Sequence, residues 1–389
     1  MQKFNLNRIL QNIIFGVLVI LFLSNALIAQ QTIYKNFHSG GIWLDNNGNH
    51  INAHGGGILY ENGIYYWFGE HKIAGSEGNK AQVGVHCYSS KDLYNWNDEG
   101  IALSVDTLDE SSEITKGCVL ERPKVVFNKK TGKYIMWFHL ELKGQGYTAA
   151  RCGVAISDKV SGPYKYLRSY RPNAYKWPVN ATAKDSLIAE GGDSTLLKLS
   201  GKETAIAGYF LRRDYTAGQM ARDMTIYQDD DDKAYLIYAS EENYTMNISE
   251  LSDDYTSFTG KWYRLFPGGH NEAPVMFKVD GKYYLITSGC TGWAPNAARS
   301  AVAPSIWGPW KELGNPCVGE DSALTFHSQS TYALKVQGKK NAFIFMADRW
   351  MPQNPIEGKY IWLPIEFAGD RIQLKFVDEW DLDWFNGSR

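Results

Sequence analysis

Beyond residue 50 the chain is dominated by short runs in which apolar and polar positions alternate with a period of two, the pattern of half-buried strands. One unit recurs: an apolar strand, a Gly or Asp turn, then a strand dense in aromatics. It appears as GGILYENGIYYWFGE (56–70), ERPKVVFNKKTGKYIMWFHL (121–140), RDMTIYQDDDDKAYLIYASEEN (222–243), EAPVMFKVDGKYYLITSG (272–289) and SQSTYALKVQGKKNAFIFMADRW (328–350). Asn62-Gly63, Thr131-Gly132, Asp280-Gly281 and Gly338 supply the turns, where positive φ is cheap. Each copy is followed by a weaker pair of alternating strands, the last being YIWLPIEFAGDRIQLKF (360–376). No helical period of any length is visible. The pattern predicts an all-β protein, and five copies of two hairpins predict a five-bladed β-propeller rather than a sandwich.

The gap between the second and third copies is longer than the others, which places an insertion at about 171–217. Its sequence, RPNAYKWPVNATAKDSLIAEGGDS and onward, is polar and irregular and carries no readable motif. The first 29 residues read as a signal peptide: Lys3 and Arg8, an apolar run from Ile13 to Leu23, then small residues up to Ala29. That run is well short of the ~20 residues a spanning helix needs. The expected organisation is therefore a leader (1–29) and a single propeller domain (30–389). The protein is expected to be exported, periplasmic or secreted, with no membrane insertion after cleavage, and monomeric.

Charge changes the picture only by exclusion. Lys+Arg number 40 and Asp+Glu 42, a net −2, which gives no field for steering toward nucleic acid. Aromatics are in excess, with 17 Phe, 13 Trp and 24 Tyr, and suit both β-structure and flat surfaces for stacking on sugars. The five cysteines (Cys87, Cys118, Cys152, Cys290, Cys317) leave at least one thiol unpaired within a chain. Cys290 and Cys317 fall in neighbouring loops and could pair; buried free thiols are the equal alternative.

The first strand of a propeller blade lines the axis, so the openings of the five copies should face one cavity. They are His54-Gly55-Gly56-Gly57, Glu121-Arg122-Pro123, Arg222-Asp223, Glu272-Ala273-Pro274 and Ser328-Gln329-Ser330. Three acids thus converge with a His, two Arg and a Gln. Crowded carboxylates raise one another's pKa values, and one can then serve as a general acid near neutral pH. Paired acids beside aromatic platforms suggest glycoside hydrolysis. The plainer alternatives are that Glu121 and Glu272 pair with Arg122 or Arg222 to hold blades together, that Gln329 caps a strand edge, and that His54 is a core histidine. Asp229 to Asp232 read as a solvated hairpin turn rather than a metal loop, and Gly55 to Gly57 as a clearing of the pocket floor.

The stretches AHGGGILYENGIYYWFGE, ERPKVVFN, ARDMTIYQDDDDKAYLIYASEEN, EAPVMFK, SGCTGWAPN and SQSTY together resemble glycoside hydrolase family 43, and within it the exo-β-1,3-galactanase branch. The resemblance covers about 50–365 apart from the insertion. It implies inversion at the anomeric carbon, with Glu272 as general acid and Glu121 as the carboxylate that tunes it. The blade-one Asp that serves most of the family as base is missing, and Gln329 stands in its place, as an imidic tautomer or as a group that orients water. An inverting pair needs ~6.5–9.5 Å between acid and water-activating group. The resemblance further implies that Glu70, Tyr147, Asn243 and Thr291 hold a terminal galactose; from their place at the strand openings His54 and Asp223 are candidate sugar contacts, and Trp293, whose indole suits the CH face of galactose, is a candidate stacking platform. No metal and no cofactor is expected, and the substrate would be a β-1,3-linked galactan or arabinogalactan oligosaccharide. The alternatives are another glycosidase of this fold, an α-L-arabinofuranosidase or β-xylosidase, or a non-catalytic sugar-binding propeller.

Overall fold

The computed structural model describes residues 33–183, 185 and 202–387. The expected leader (1–29) and the middle of the insertion lie outside the described residues. The chain divides into two compact units, Met1–Lys35 and Asn36–Arg389. Of the first, residues 33–35 are described and have no regular structure.

Within Asn36–Arg389, strand β1 (Phe37–His38) pairs with the last strand, β24 (Glu379–Trp380), which ties the two ends of the unit together. Four four-stranded antiparallel meanders follow along the chain. They are β2 (His54–Glu61), β3 (Ile64–His71), β4 (Gly84–Ser90) and β5 (Asn97–Ser104), then β6 (Val119–Asn128), β7 (Lys133–Glu141), β8 (Arg151–Ser157) and β9 (Lys165–Tyr170). The third is β10 (Met224–Gln228), β11 (Ala234–Ser240), β12 (Thr245–Leu251) and β13 (Phe258–Leu265), and the fourth is β14 (Glu272–Val279), β15 (Lys282–Ser288), β16 (Arg299–Ala303) and β17 (Lys311–Gly314). The remaining strands are β18 (Cys317–Val318), β19 (Gln329–Lys335), β20 (Phe343–Arg349), β21 (Lys359–Pro364), β22 (Glu366–Ala368) and β23 (Arg371–Lys375). Asn62 (φ 50°) with Gly63 (φ 85°), and Asp280 (φ 48°) with Gly281 (φ 79°), form the expected hairpin turns with both central residues left-handed.

The expectation of five four-stranded blades is corrected: the propeller has six blade sheets. Four are the meanders above. The fifth copy of the repeat splits into two three-stranded sheets, β19-β20-β21 and β18-β23-β22. The break falls at Pro364, the last residue of β21, which cannot donate to a ladder. Beyond it the hairpin β22-β23 leaves β21, and β23 pairs in parallel with β18, from the connection that precedes the copy. Ile372, Leu374 and Cys317 are buried there against Phe277, Phe343 and Ile361. Strands β2, β6, β10, β14 and β19 each pack against the next around the axis, with β19 against β2.

The insertion also departs from expectation. Its described part contains a helix, α1 (Lys202–Asp214), in a sequence whose polar, irregular composition hid the period. Leu211 is fully buried, Phe210 packs on Tyr244 (ring centroids 5.1 Å apart), and Arg213 bonds Glu242 at 2.9 Å. The tryptophan excess is spent mainly on packing. Trp43, Trp67, Trp96, Trp362 and Trp380 share one buried cluster with Phe37 and Tyr360, sealing the junction of the chain ends with the first blade. Trp293, by contrast, is 43% exposed.

Candidate functional site

Four of the axial strands share one irregularity at their openings. The ladder register slips between His54 and Gly57, Glu121 and Lys124, Glu272 and Val275, and Ser330 and Tyr332. Gly55, Arg122 and Ala273 sit there at φ 61°, 55° and 51°. A bulge bends a strand and re-aims its side chains, which turns Glu121 and Glu272 toward the axis. Pro123 and Pro274 fall on the unpaired residues of the bulges, where a missing N–H breaks no ladder bond.

The result is a pocket of about 310 Å³ lined by Glu70, Glu121, Arg122, His139, Tyr147, Arg222, Asp223, Asn243, Glu272, Cys290, Gly292, Trp293, Gln329 and Trp350. Eight of the ten residues expected at the site line it. His54 and Thr291 do not. His54 is fully buried, stacked on Tyr360 with centroids 5.3 Å apart and 3.6 Å from Asp348 Oδ2. Thr291 accepts from Asn296 Nδ2 at 2.7 Å and donates to the Ala294 carbonyl at 2.6 Å, so it braces the loop that carries Trp293.

The glycine run clears space for other side chains rather than for the pocket. A Cβ on Gly55 would stand 2.1 Å from Glu70 Oε1, and one on Gly57 would stand 2.5 Å from Lys124 Cδ. Glu70 is held in that space by Lys72 Nζ at 2.5 Å and by the Arg122 backbone N–H at 3.0 Å.

The two glutamates have opposite electrostatics. Burial raises Glu272 and the negative charge of Asp223 raises it further, while Cys290, Arg122 and Arg222 pull the other way; the balance sits at about 7. Its Oε1 accepts from Asn243 Nδ2 at 2.6 Å and from Cys290 Sγ at 3.3 Å. Burial would raise Glu121 too, but hydrogen bonding and charge from His139, the Lys72 charge and the Tyr147 hydroxyl hold it well below the usual carboxylate range. His139 Nδ1 lies 3.0 Å from Glu121 Oε2, and its Nε2 lies 2.9 Å from the fully buried Glu141. Against a burial that would discharge it, the imidazole is pushed up to about 9 by this pair of carboxylates. After burial, the charge that raises Glu272 most is that of Asp223. Asp223 is fixed by Arg122 Nη2 at 2.8 Å and by the Ala273 N–H at 3.2 Å.

Gln329 is held by donors on its oxygen. Arg122 Nη2 (2.6 Å) and Trp350 Nε1 (2.9 Å) both donate to Oε1, and Nε2 donates to Ser288 Oγ (3.0 Å). Neither partner at Oε1 has an acceptor, so the orientation of the amide is forced. Asn243 closes a run with Glu241 and Glu242 in which all three residues have positive φ (54°, 56° and 65°). The strain is held in place by Glu241, which pairs with Arg264 at 2.6 Å, and by the α1 contacts of Glu242 and Tyr244. Asn243 Oδ1 is buried with no partner among the described residues, leaving an acceptor at the pocket wall.

Sequence reasoning missed His139, Trp350 and Cys290 as pocket residues. His139 was within reach: in the hairpin ladder it stands opposite Glu121, and Glu141 lies two residues on, on the same face. Trp350 follows the last residue of β20, and nothing in its local pattern marks it. No disulfide forms: all five cysteines are free, and only Cys290 is exposed.

The family model for glycosyl hydrolases family 43 matches residues 202–351. A solved family-43 β-1,3-galactosidase in complex with galactodeoxynojirimycin is 52% identical, with a TM-score of 0.84, over 89% of this chain and 100% of that one. The chain belongs to glycosyl hydrolase family 43. Within the family, an exo-β-1,3-galactanase from Phanerochaete chrysosporium, solved with β-1,3-galactotriose, is 32% identical at a TM-score of 0.71, over 90% of this chain and 68% of that one. A β-D-galactofuranosidase from Aspergillus niger is 32% identical over 153 residues, 36% of this chain and 44% of its own length. As a family-43 protein 52% identical to a β-1,3-galactosidase over the whole of that solved chain, the chain is a glycoside hydrolase.

Proposed function

We propose that the protein is an exported, exo-acting, inverting galactanase that releases galactose from the non-reducing end of β-1,3-galactan, the backbone of arabinogalactan. The observation that carries this is Glu272, a carboxyl held protonatable near neutral pH in a pocket of about 310 Å³, in a chain 52% identical to a β-1,3-galactosidase over that enzyme's whole solved length. The pocket is at the small end of ligand sites and suits one terminal sugar rather than a long stretch of chain.

Glu272 is the general acid. Its Oε1 already accepts two hydrogen bonds, so the proton sits on Oε2, from where it passes to the leaving oxygen. Gln329 orients the attacking water and does not take its proton. Both lone pairs of Oε1 are engaged by donors, and an imidic tautomer with O–H at that atom would face two N–H groups. Its Nε2 has a second hydrogen left for a water. The proton goes instead to a carboxylate of the pocket, and Glu121 and Asp223 lie within 4.8 Å of each other there. Tyr147, Glu70, Asp223 and Asn243 contact sugar hydroxyls, and Trp293 offers a stacking face.

The Aspergillus relative supports a second reading, hydrolysis of a galactofuranoside. The test is release of galactose from β-1,3-galactotriose set beside release from a β-D-galactofuranoside. Turnover of the triose, one sugar at a time, supports the galactanase; turnover of the furanoside alone replaces it with the second reading.

A further inference from the structure

The acid Glu272 has a thiol neighbour. Cys290 lies just beyond β15, exposed at the pocket wall, and its Sγ donates to Glu272 Oε1 at 3.3 Å. Asn243 Nδ2 donates to the same oxygen at 2.6 Å and lies 3.8 Å from the thiol, so the three groups form one closed contact. The other four cysteines are buried.

We infer that Cys290 is a positioning residue for the general acid: with Asn243 it saturates Oε1 of Glu272, confines the catalytic proton to Oε2, and makes the enzyme open to inactivation by small thiol-modifying reagents. This rests on the assignment of Glu272 as acid. Two donors on one carboxyl oxygen leave the other as the only place for the proton. Without the thiol, Oε1 keeps a single partner, and the carboxyl can rotate or carry its proton on the wrong side. Misalignment of that order costs catalysis even when the acid itself is intact. The thiol also favours the ionised form of Glu272, because a hydrogen bond to a carboxylate stabilises it. The charged groups facing Glu272 are Asp223, Arg122 and Arg222, and all three remain when the thiol is removed.

The modification is ordinary thiol exchange. The Cys290 thiolate attacks the sulfenyl sulfur of methyl methanethiosulfonate, a new S–S bond forms, the S–SO₂ bond breaks, methanesulfinate leaves, and the thiol proton goes to solvent. The capped sulfur cannot donate, and its methyl group lies against Glu272. Burial and the Glu272 charge push the thiol up to about 11, so the reaction is slow at neutral pH and quickens as pH rises.

The experiment measures kcat and KM on β-1,3-galactotriose across pH for the wild type, Cys290→Ala, Cys290→Ser and Glu272→Gln, together with methyl methanethiosulfonate treatment followed by intact mass. Cys290→Ala should lose on the order of tenfold in kcat with KM little changed, and its basic limb should move to higher pH. Cys290→Ser, which restores a donor, should recover most of both. The native wild type should take up one methylthio group and lose activity, galactose should protect it, and a dithiol should restore it. An Ala variant with wild-type kcat and pH profile overturns the inference, as does a fully active methylthio enzyme. If Glu272→Gln retains activity, the acid assignment itself falls; if it is dead while the Ala variant is normal, only the role of Cys290 falls.

Discussion

The indole N–H of Trp350 donates to Gln329 Oε1 at 2.9 Å, and with Arg122 at 2.6 Å it fills both lone pairs of that oxygen. The pair fixes which end of the amide faces the pocket. Replacing Trp350 with Phe keeps an aromatic ring, smaller than the indole, and removes the donor. The expected result is a kcat lower by roughly tenfold, the scale set by one lost positioning hydrogen bond of about 1 kcal/mol or slightly more. KM for galactotriose should change little, because the amide orients water rather than sugar. Steady-state kinetics on the Phe variant decide it, and a change confined to KM would point to sugar binding instead.

Glu272 must be protonated to act, and its carboxyl sits at about 7. The value of kcat/KM should therefore fall as pH rises through that region. Asp223→Asn removes a negative charge that raises Glu272, so the basic limb should move to lower pH. A pH profile of the Asn variant with an unmoved limb would mean that the Asp223 charge does not tune the acid.

Glu141 is fully buried, bonds His139 Nε2 at 2.9 Å and accepts the Ala150 N–H at 2.8 Å. Glu141→Ala leaves the imidazolium with one carboxylate and strands a buried N–H. Breaking one side of a buried ion pair costs about 3–5 kcal/mol, and the unfolding midpoint in urea should drop accordingly. A midpoint close to wild type would contradict a structural role for the buried Glu141 contacts with His139 and the Ala150 N–H.

Gly55 has φ 61°, and its missing Cβ makes room for Glu70 Oε1. Gly55→Ala should destabilise the fold by roughly 1–3 kcal/mol, as expected for a side chain forced into a sparse backbone region. It should also displace Glu70 and raise KM. Thermal unfolding and kinetics on the Ala variant test both parts.

Much of this was legible in the sequence, and the limits have physical causes. Period-two alternation and Asn-Gly or Asp-Gly turns place nearly every hairpin, because a half-buried strand writes its two faces directly into the chain. The convergence of Glu70, Glu121, Asp223, Glu272 and Gln329 follows from the same repeat, since each sits near the same end of an axial hairpin. The blade count was not legible. The stretch 360–376 reads as the second hairpin of a fifth blade, and nothing local says that β23 will choose β18 as its partner across 50 or so residues of chain. His54 was expected at the pocket because it opens β2 like its acidic counterparts, but its ring is buried, stacked on Tyr360 and beside Asp348. The charge balance at Glu272 depends on where Arg122 points, and its bonds to Asp223 and Gln329 cross between blades with no signature along the chain.

The central claim is an inverting exo-attack with Glu272 as acid. The most direct test is proton NMR of β-1,3-galactotriose hydrolysis, reading the anomeric configuration of the first galactose released by the wild type and by Glu272→Gln. Prompt α-galactose from the wild type, lost in the variant, is the predicted result. Prompt β-galactose, or undiminished release by the variant, would contradict it.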